Sequence, residues 1–247
     1  MPRFILAICL LVGAGWARGA DASLANARRA QAELGPEIWS EVIRIENEGR
    51  ARPSPASLHA LVFEVGGILW IYMDREGTQS LSRFTGRLEE DKADLTPLLR
   101  VIEPALVHWS VVSDGEPALA PRRDALRNGC FIESLAALRA RRESGEDVKN
   151  ARLLSYYFFP GSRQPGHTVL TYATDRGVEV VDPLITKTPR SFPAVLADDP
   201  LALAQGLAGR DVAQARWVPV DGAAWRGGIF VGRALALGAD GSDRTVW

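Results

Sequence analysis

Residues 166–182 read GHTVLTYATDRGVEVVD. Two β-rich runs, Gly166 to Ala173 and Gly177 to Asp182, flank Thr174-Asp175-Arg176-Gly177, whose composition marks a turn. Side chains alternate along a strand, so His167, Val169, Thr171 and Ala173 share one face. With residues 173 and 178 opposed across the turn, Asp182 falls opposite Val169, on the face of His167 and one pair away. An aspartate and an imidazole bridge such a diagonal of roughly 7–8 Å between backbone positions. A slip of one residue would send Asp182 to the other face, so the register of this hairpin decides whether the two side chains meet.

A third β-rich run, Leu153 to Phe159, precedes the hairpin. Before that, Phe131, Ile132, Leu135, Ala136 and Leu138 recur at spacings that predict an amphipathic helix ending around Arg142 to Gly145. A helix followed by antiparallel strands predicts an α+β fold. Toward the N-terminus, two short helices are expected between Ser23 and Gly49, with Ile38, Trp39, Val42, Ile43 and Ile45 in the second. Arg50 to Pro55 is a loop by its prolines. Leu61 to Val65 and Ile68 to Met73, separated by Gly66-Gly67, predict a tight hairpin. Leu88 to Ile102 reads as a helix and Leu106 to Val112 as a strand. Beyond the hairpin at 166–182, a helical piece is expected around Pro200 to Leu207, a strand near Ala215 to Val220, and further packing material at Gly228 to Leu237.

The first twenty residues have a different character: Arg3, an apolar run from Phe4 to Val12, then small residues around Ala17, Gly19 and Ala20. This pattern predicts a removable secretory signal at residues 1–20, too short for a spanning helix. The expected organisation is then a single α+β domain over 21–247. Its N-terminal helices and hairpin are expected at 23–112, and its catalytic core at 122–190. The protein is expected to be exported, periplasmic or extracellular, with no membrane anchor once the signal is cleaved. A net charge of −1, from 29 basic and 30 acidic residues without a long block of either sign, gives nucleic acid no electrostatic footprint.

Removal of the signal takes Cys9 with it and leaves Cys130 as the one remaining thiol. Exported chains usually pair their cysteines, so a lone thiol is either chemically useful or well buried. Cys130 sits in Asn128-Gly129-Cys130-Phe131-Ile132-Glu133-Ser134-Leu135. With Asn128 as the N-cap, the thiol falls in the first helical turn, where unpaired amides and the macrodipole favour an anion. The bland alternative is a small apolar side chain entering the core. His167 is the best placed base of three histidines; His59 and His108 read as packing or surface residues. Asp182 before Pro183 would orient the imidazole, or would simply end a strand.

The order Cys130, His167, Asp182, in Gly129-Cys130, Gly166-His167-Thr168-Val169 and Val181-Asp182-Pro183, resembles the transglutaminase-like branch of the papain-like cysteine hydrolases. The resemblance spans about sixty residues, Asn128 to Ile185. It implies a Cys-bearing helix packed on an antiparallel sheet that carries His and Asp, a Cys-His-Asp triad, and a thioester intermediate formed from an amide bond. It also implies an upstream side chain that helps an oxyanion hole, for which Gln79, Trp109 and Asn128 are the candidates. Substrates would be peptide or protein amides, peptidoglycan peptides among them by location. The alternative is a binding or scaffolding module on the same fold that performs no chemistry. A cell-wall endopeptidase of another papain-like branch would need a histidine after His167, and the sequence has none. No cofactor is expected: the glycine pairs are turns, and one thiol with scattered histidines makes no zinc site.

Overall fold

Val42, Ile43 and Ile45 are β-branched, and such side chains are stiff and favour extended backbone. The segment whose spacing predicts a second N-terminal helix is accordingly strand β1, Ser40–Asn47. Val42 faces one core while Ile43 and Ile45 face another. A strand covered on both sides carries apolar residues in succession, and that succession imitates helical spacing. Among the described residues of this region, the one helix spans residues 22–34 (α1).

The computed structural model describes residues 22–47, 57–81, 95–113, 126–159 and 166–221. The expected signal, the Arg50 to Pro55 loop, residues 88–94 of the expected helix and Gly228 to Leu237 lie outside them, as do 122–125 and 160–165 of the expected core. The fold is α+β, with two five-stranded antiparallel sheets and a few helices.

The first sheet joins β1 to β2 (Ser57–Val65), β3 (Ile68–Met73), β4 (Gly77–Ser80) and β5 (Leu106–Val111) in the order β4-β3-β2-β1-β5. Val65 pairs with Ile68 across the expected tight turn. Gly66 and Gly67 both have positive φ, 62° and 73°, the backbone that a two-residue hairpin with matching twist requires. The second sheet contains β6 (Lys149–Tyr157), β7 (His167–Thr174), β8 (Gly177–Asp182), β9 (Thr186–Phe192) and β10 (Gln214–Pro219) in the order β10-β6-β7-β8-β9. Strand β9 escapes the sequence patterns because it is polar and contains Pro189; its place at a sheet edge tolerates the missing donor.

Helix α3, Cys130–Glu143, lies between the two sheets. Phe131, Ile132, Leu135 and Leu138 share one core with Phe63 and Trp70 of the first sheet and with Leu153, Leu170 and Val181 of the second. The far face of the first sheet packs on α2, Thr96–Ile102, through Leu99. The far face of the second packs on α4, Pro200–Ala208, through Leu203 and Ala204.

The Phe131 ring centroid is 4.6 Å from that of Trp70 and 6.0 Å from that of Phe63. Phe131→Ala should therefore destabilise the protein by about 3–5 kcal/mol in urea denaturation, the cost of a large buried cavity. A loss below about 1 kcal/mol would contradict a helix held between two sheets.

Candidate active site

Cys130 is the first residue of α3, but Asn128 does not cap it. Gly129 is the N-cap and makes no side-chain cap bond. Asn128 has φ 52°, a left-handed conformation that asparagine tolerates better than most residues. In that conformation its side-chain amide donates to the carbonyls of Asp74 and Arg75, at 3.1 and 3.0 Å. The Tyr72 hydroxyl donates to the Arg127 carbonyl at 2.8 Å. These three bonds fasten the loop before the helix to the first sheet and the turn that follows β3. On the other side Ser134 Oγ donates to the Thr168 carbonyl at 3.1 Å and fastens the helix to the second. The thiol is thus held at a helix N-terminus, where the first-turn amides have no intrahelical acceptors.

The hairpin has the register that brings the other two side chains together: Ala173 pairs with Val178 and Leu170 with Val181. Asp182 Oδ2 is 2.6 Å from His167 Nε2, and the Leu184 amide donates to Asp182 Oδ1 at 3.1 Å. The carboxylate is therefore fixed from both oxygens. The Cys130 sulfur donates to the Gly166 carbonyl oxygen at 3.6 Å, one residue before His167, and lies close enough to the imidazole to contribute to its pKa. With Nε2 engaged by Asp182, Nδ1 is the ring nitrogen left for sulfur. Gly166 lets the start of β7 lie close against β6, because a Cβ there would lie 2.5 Å from the Tyr156 carbonyl oxygen.

Burial alone would pull the His167 pKa down, but hydrogen bonds to Asp182 and Cys130 and their charges outweigh it and raise it to about 9. The ring is further packed edge-on against Tyr156, with centroids 5.6 Å apart. Burial, with the nearby Asp182 and Cys130 charges, pushes the Tyr156 phenol up to about 12.

Strand alternation places this cluster at the end of the second sheet. Val169 belongs to the core facing α4 and Leu170 to the core facing α3, so His167 starts on the α4 side. Cys130 comes from the α3 side and meets the ring at the first residue of β7. On the thiol side lies a recess of about 10 Å³, lined by Cys130, Thr78, Asn128, Ser155, Thr168 and Arg216 among others. On the imidazole side lies a cleft of about 400 Å³ bordered by His167 and Asp182.

Of the three oxyanion candidates, Asn128 alone borders the recess, and its amide is already committed to two carbonyls. Gln79 pairs with Ile71, whose side chain belongs to the core on the far face of the first sheet, so Gln79 points away from the thiol. Trp109 is on that far side too, where its indole donates to Thr96 Oγ1 at 3.2 Å. The residue missed is Thr78, one position from Gln79. It pairs with Tyr72, which faces α3. Its hydroxyl is buried in the recess without a hydrogen-bond partner among the described residues. The alternation of Trp70 and Tyr72 along β3 was the signal that could have found it. His59 is buried against Ser23 and His108 is exposed on β5; neither reaches the thiol.

Among the described residues there is no group of three potential metal ligands, and no helix is long and apolar enough to cross a membrane. Comparison with protein-family models, with curated proteins and with solved structures finds no match for this chain.

A raised folded-state pKa means that charged His167 stabilises the fold. That contribution is complete below pH 6.5 and fades as pH rises through about 9. Its ceiling is about 3 kcal/mol, measurable as the fall in unfolding free energy across that window. The ring signals of His167 in NMR should titrate near pH 9, and Asp182→Asn should move the midpoint down toward 6.5. A wild-type midpoint at or below 6.5 would overturn the charged pair.

Proposed function

We propose that the chain is an exported cysteine hydrolase or acyl transferase, built on a papain-like, transglutaminase-like core and acting on amide bonds. The observation that carries this reading is one connected line of side chains. Cys130 at the tip of α3 stands beside His167, close enough to raise its pKa, and His167 Nε2 bonds to Asp182. Nucleophile, base and orienting carboxylate in that relation are what thiol acyl transfer needs.

The thiolate attacks the amide carbonyl carbon, a C–S bond forms and the carbonyl electron pair moves to oxygen. The first-turn amide of Cys130 and the hydroxyl of Thr78, which shares the recess with the thiol, are the candidate donors for that oxyanion. As the tetrahedral intermediate collapses, the C–N bond breaks and the imidazolium of His167 gives its proton to the departing amine. Water or a second amine then attacks the thioester carbonyl and yields its proton to His167, and the acyl group leaves the sulfur. Asp182 keeps Nδ1 turned toward the sulfur throughout and stabilises the ring whenever it carries the proton. Peptide or protein amides outside the cytoplasm, including peptidoglycan peptides, are the substrates that fit this chemistry and location.

At pH 6, iodoacetamide should alkylate Cys130 at least about tenfold faster than free cysteine, which is almost wholly thiol at that pH. His167→Gln should remove the advantage and Cys130→Ala the labelling itself. Alkylation no faster than free cysteine would sink the enzyme reading. Thr78→Val should slow acylation by p-nitrophenyl acetate by about a hundredfold. The same change should leave iodoacetamide alkylation as it was, since alkylation forms no oxyanion; an unchanged acylation rate would remove Thr78 from the mechanism.

A further inference from the structure

The cleft on the imidazole side of the site has a chemical character of its own. Two arginines, Arg190 of β9 and Arg210 just beyond α4, line it together with His167 and Asp182. Asp182 is the one carboxylate on the lining, and it is paired with His167. Among the described residues neither arginine has an acidic partner, although both lie on an exposed surface where one would be easy to supply.

Both guanidinium groups sit over aromatic rings. Arg210 lies 3.4 Å from the centroid of Phe158 and Arg190 lies 5.3 Å from that of Phe192, with one Nη1 of Arg190 donating to the Leu207 carbonyl at 3.3 Å. A guanidinium attracted to a ring face keeps the planar fork of N–H donors that suits a planar anion. Phe158 in turn meets Tyr156 edge-on at 5.7 Å, and Tyr156 meets His167. A row of rings therefore leads from the catalytic imidazole to the cation. The Tyr156 phenol feels both arginines as well as Asp182 and Cys130, so all four charges belong to one neighbourhood.

We infer that this cleft binds a carboxylate carried by the substrate, clamped between Arg190 and Arg210 while the scissile amide lies at Cys130. The inference rests on the triad reading and names the substrate class for it: amides with a carboxylate within the one or two residues that 400 Å³ can hold. A C-terminal carboxylate and an acidic side chain present the same planar anion to the two guanidinium groups.

The test uses full-length protein and three probes: N-acetyl-phenylalanine, whose charge is an α-carboxylate; N-acetyl-glutamic acid α-amide, whose charge is on the side chain; and uncharged N-acetyl-phenylalaninamide. Binding is followed by the ring signals of His167 in NMR. At least one carboxylate should bind about tenfold more tightly than the neutral amide, as expected for charge-assisted pairing, and the tighter of the two identifies the source. Arg190→Gln with Arg210→Gln should abolish the preference, and the double lysine variant should keep part of it, because lysine retains charge without the planar fork. Equal affinities for all three probes, or an unchanged preference in the glutamine variant, would overturn the inference. Carboxylate binding beside an inert Cys130 would defeat the triad reading alone; a reactive Cys130 with no carboxylate preference would defeat this inference alone.

Discussion

The burial of α3 between two sheets is the constraint on which everything else in the molecule depends. A helix normally has one apolar stripe and one wet face. Here Phe131 and Trp70 are in contact on one side, while Ser134 bonds to the backbone of β7 on the other. The helix cannot slide or roll without breaking contacts with both sheets, because packed interiors do not deform continuously. Its first residue is therefore as well placed as its core. That first residue is Cys130, and the bonds from Tyr72 and Asn128 extend the same rigidity into the loop that precedes it.

A rigid thiol is useful only beside a charge that responds to it, and the His167–Asp182 pair shows how close the balance is. Removing an imidazolium from water opposes protonation, and a weaker partner would leave the ring neutral. Asp182 reverses the outcome because its second oxygen is already satisfied by the Leu184 amide, so its charge cannot turn elsewhere. The Asp182-Pro183-Leu184 corner that ends the strand is also what holds the carboxylate. The bland reading of Asp182 as a strand-ending residue and the sharp reading as an orienting group thus describe one piece of geometry.

Much of this was legible because the decisive patterns were local. The 166–182 hairpin fixed its own register through a turn of readable composition, and with that register the meeting of His167 and Asp182 followed from parity. The helix behind Cys130 and the Gly66-Gly67 hairpin were equally self-contained. What stayed hidden was non-local. Val42, Ile43 and Ile45 needed a helix on one side and a second core on the other before their spacing made sense as a strand. Asn128 looked like a cap because caps are defined by the chain alone, whereas its amide is spent on a turn more than fifty residues upstream. Gln79 was a candidate by side-chain type alone; that its neighbour Thr78 is the one facing the helix follows only from the pairing of Thr78 with Tyr72.

The meeting of thiol and imidazole at the first residue of β7 has a consequence for any substrate. The sulfur comes from the face of the sheet covered by α3, where the described residues leave a small recess beside it. The ring comes from the face covered by α4, where the larger cleft opens. A bond attacked at the sulfur and protonated from the ring must lie across the sheet's end, with one part of the substrate in each space. The inequality of the two spaces then does the sorting. Little beyond the reacting carbonyl fits beside the sulfur in the recess, so recognition falls to groups on the imidazole side. That is where the arginines stand, and it makes charge in the cleft, rather than bulk at the thiol, the property by which this site would tell one amide from another.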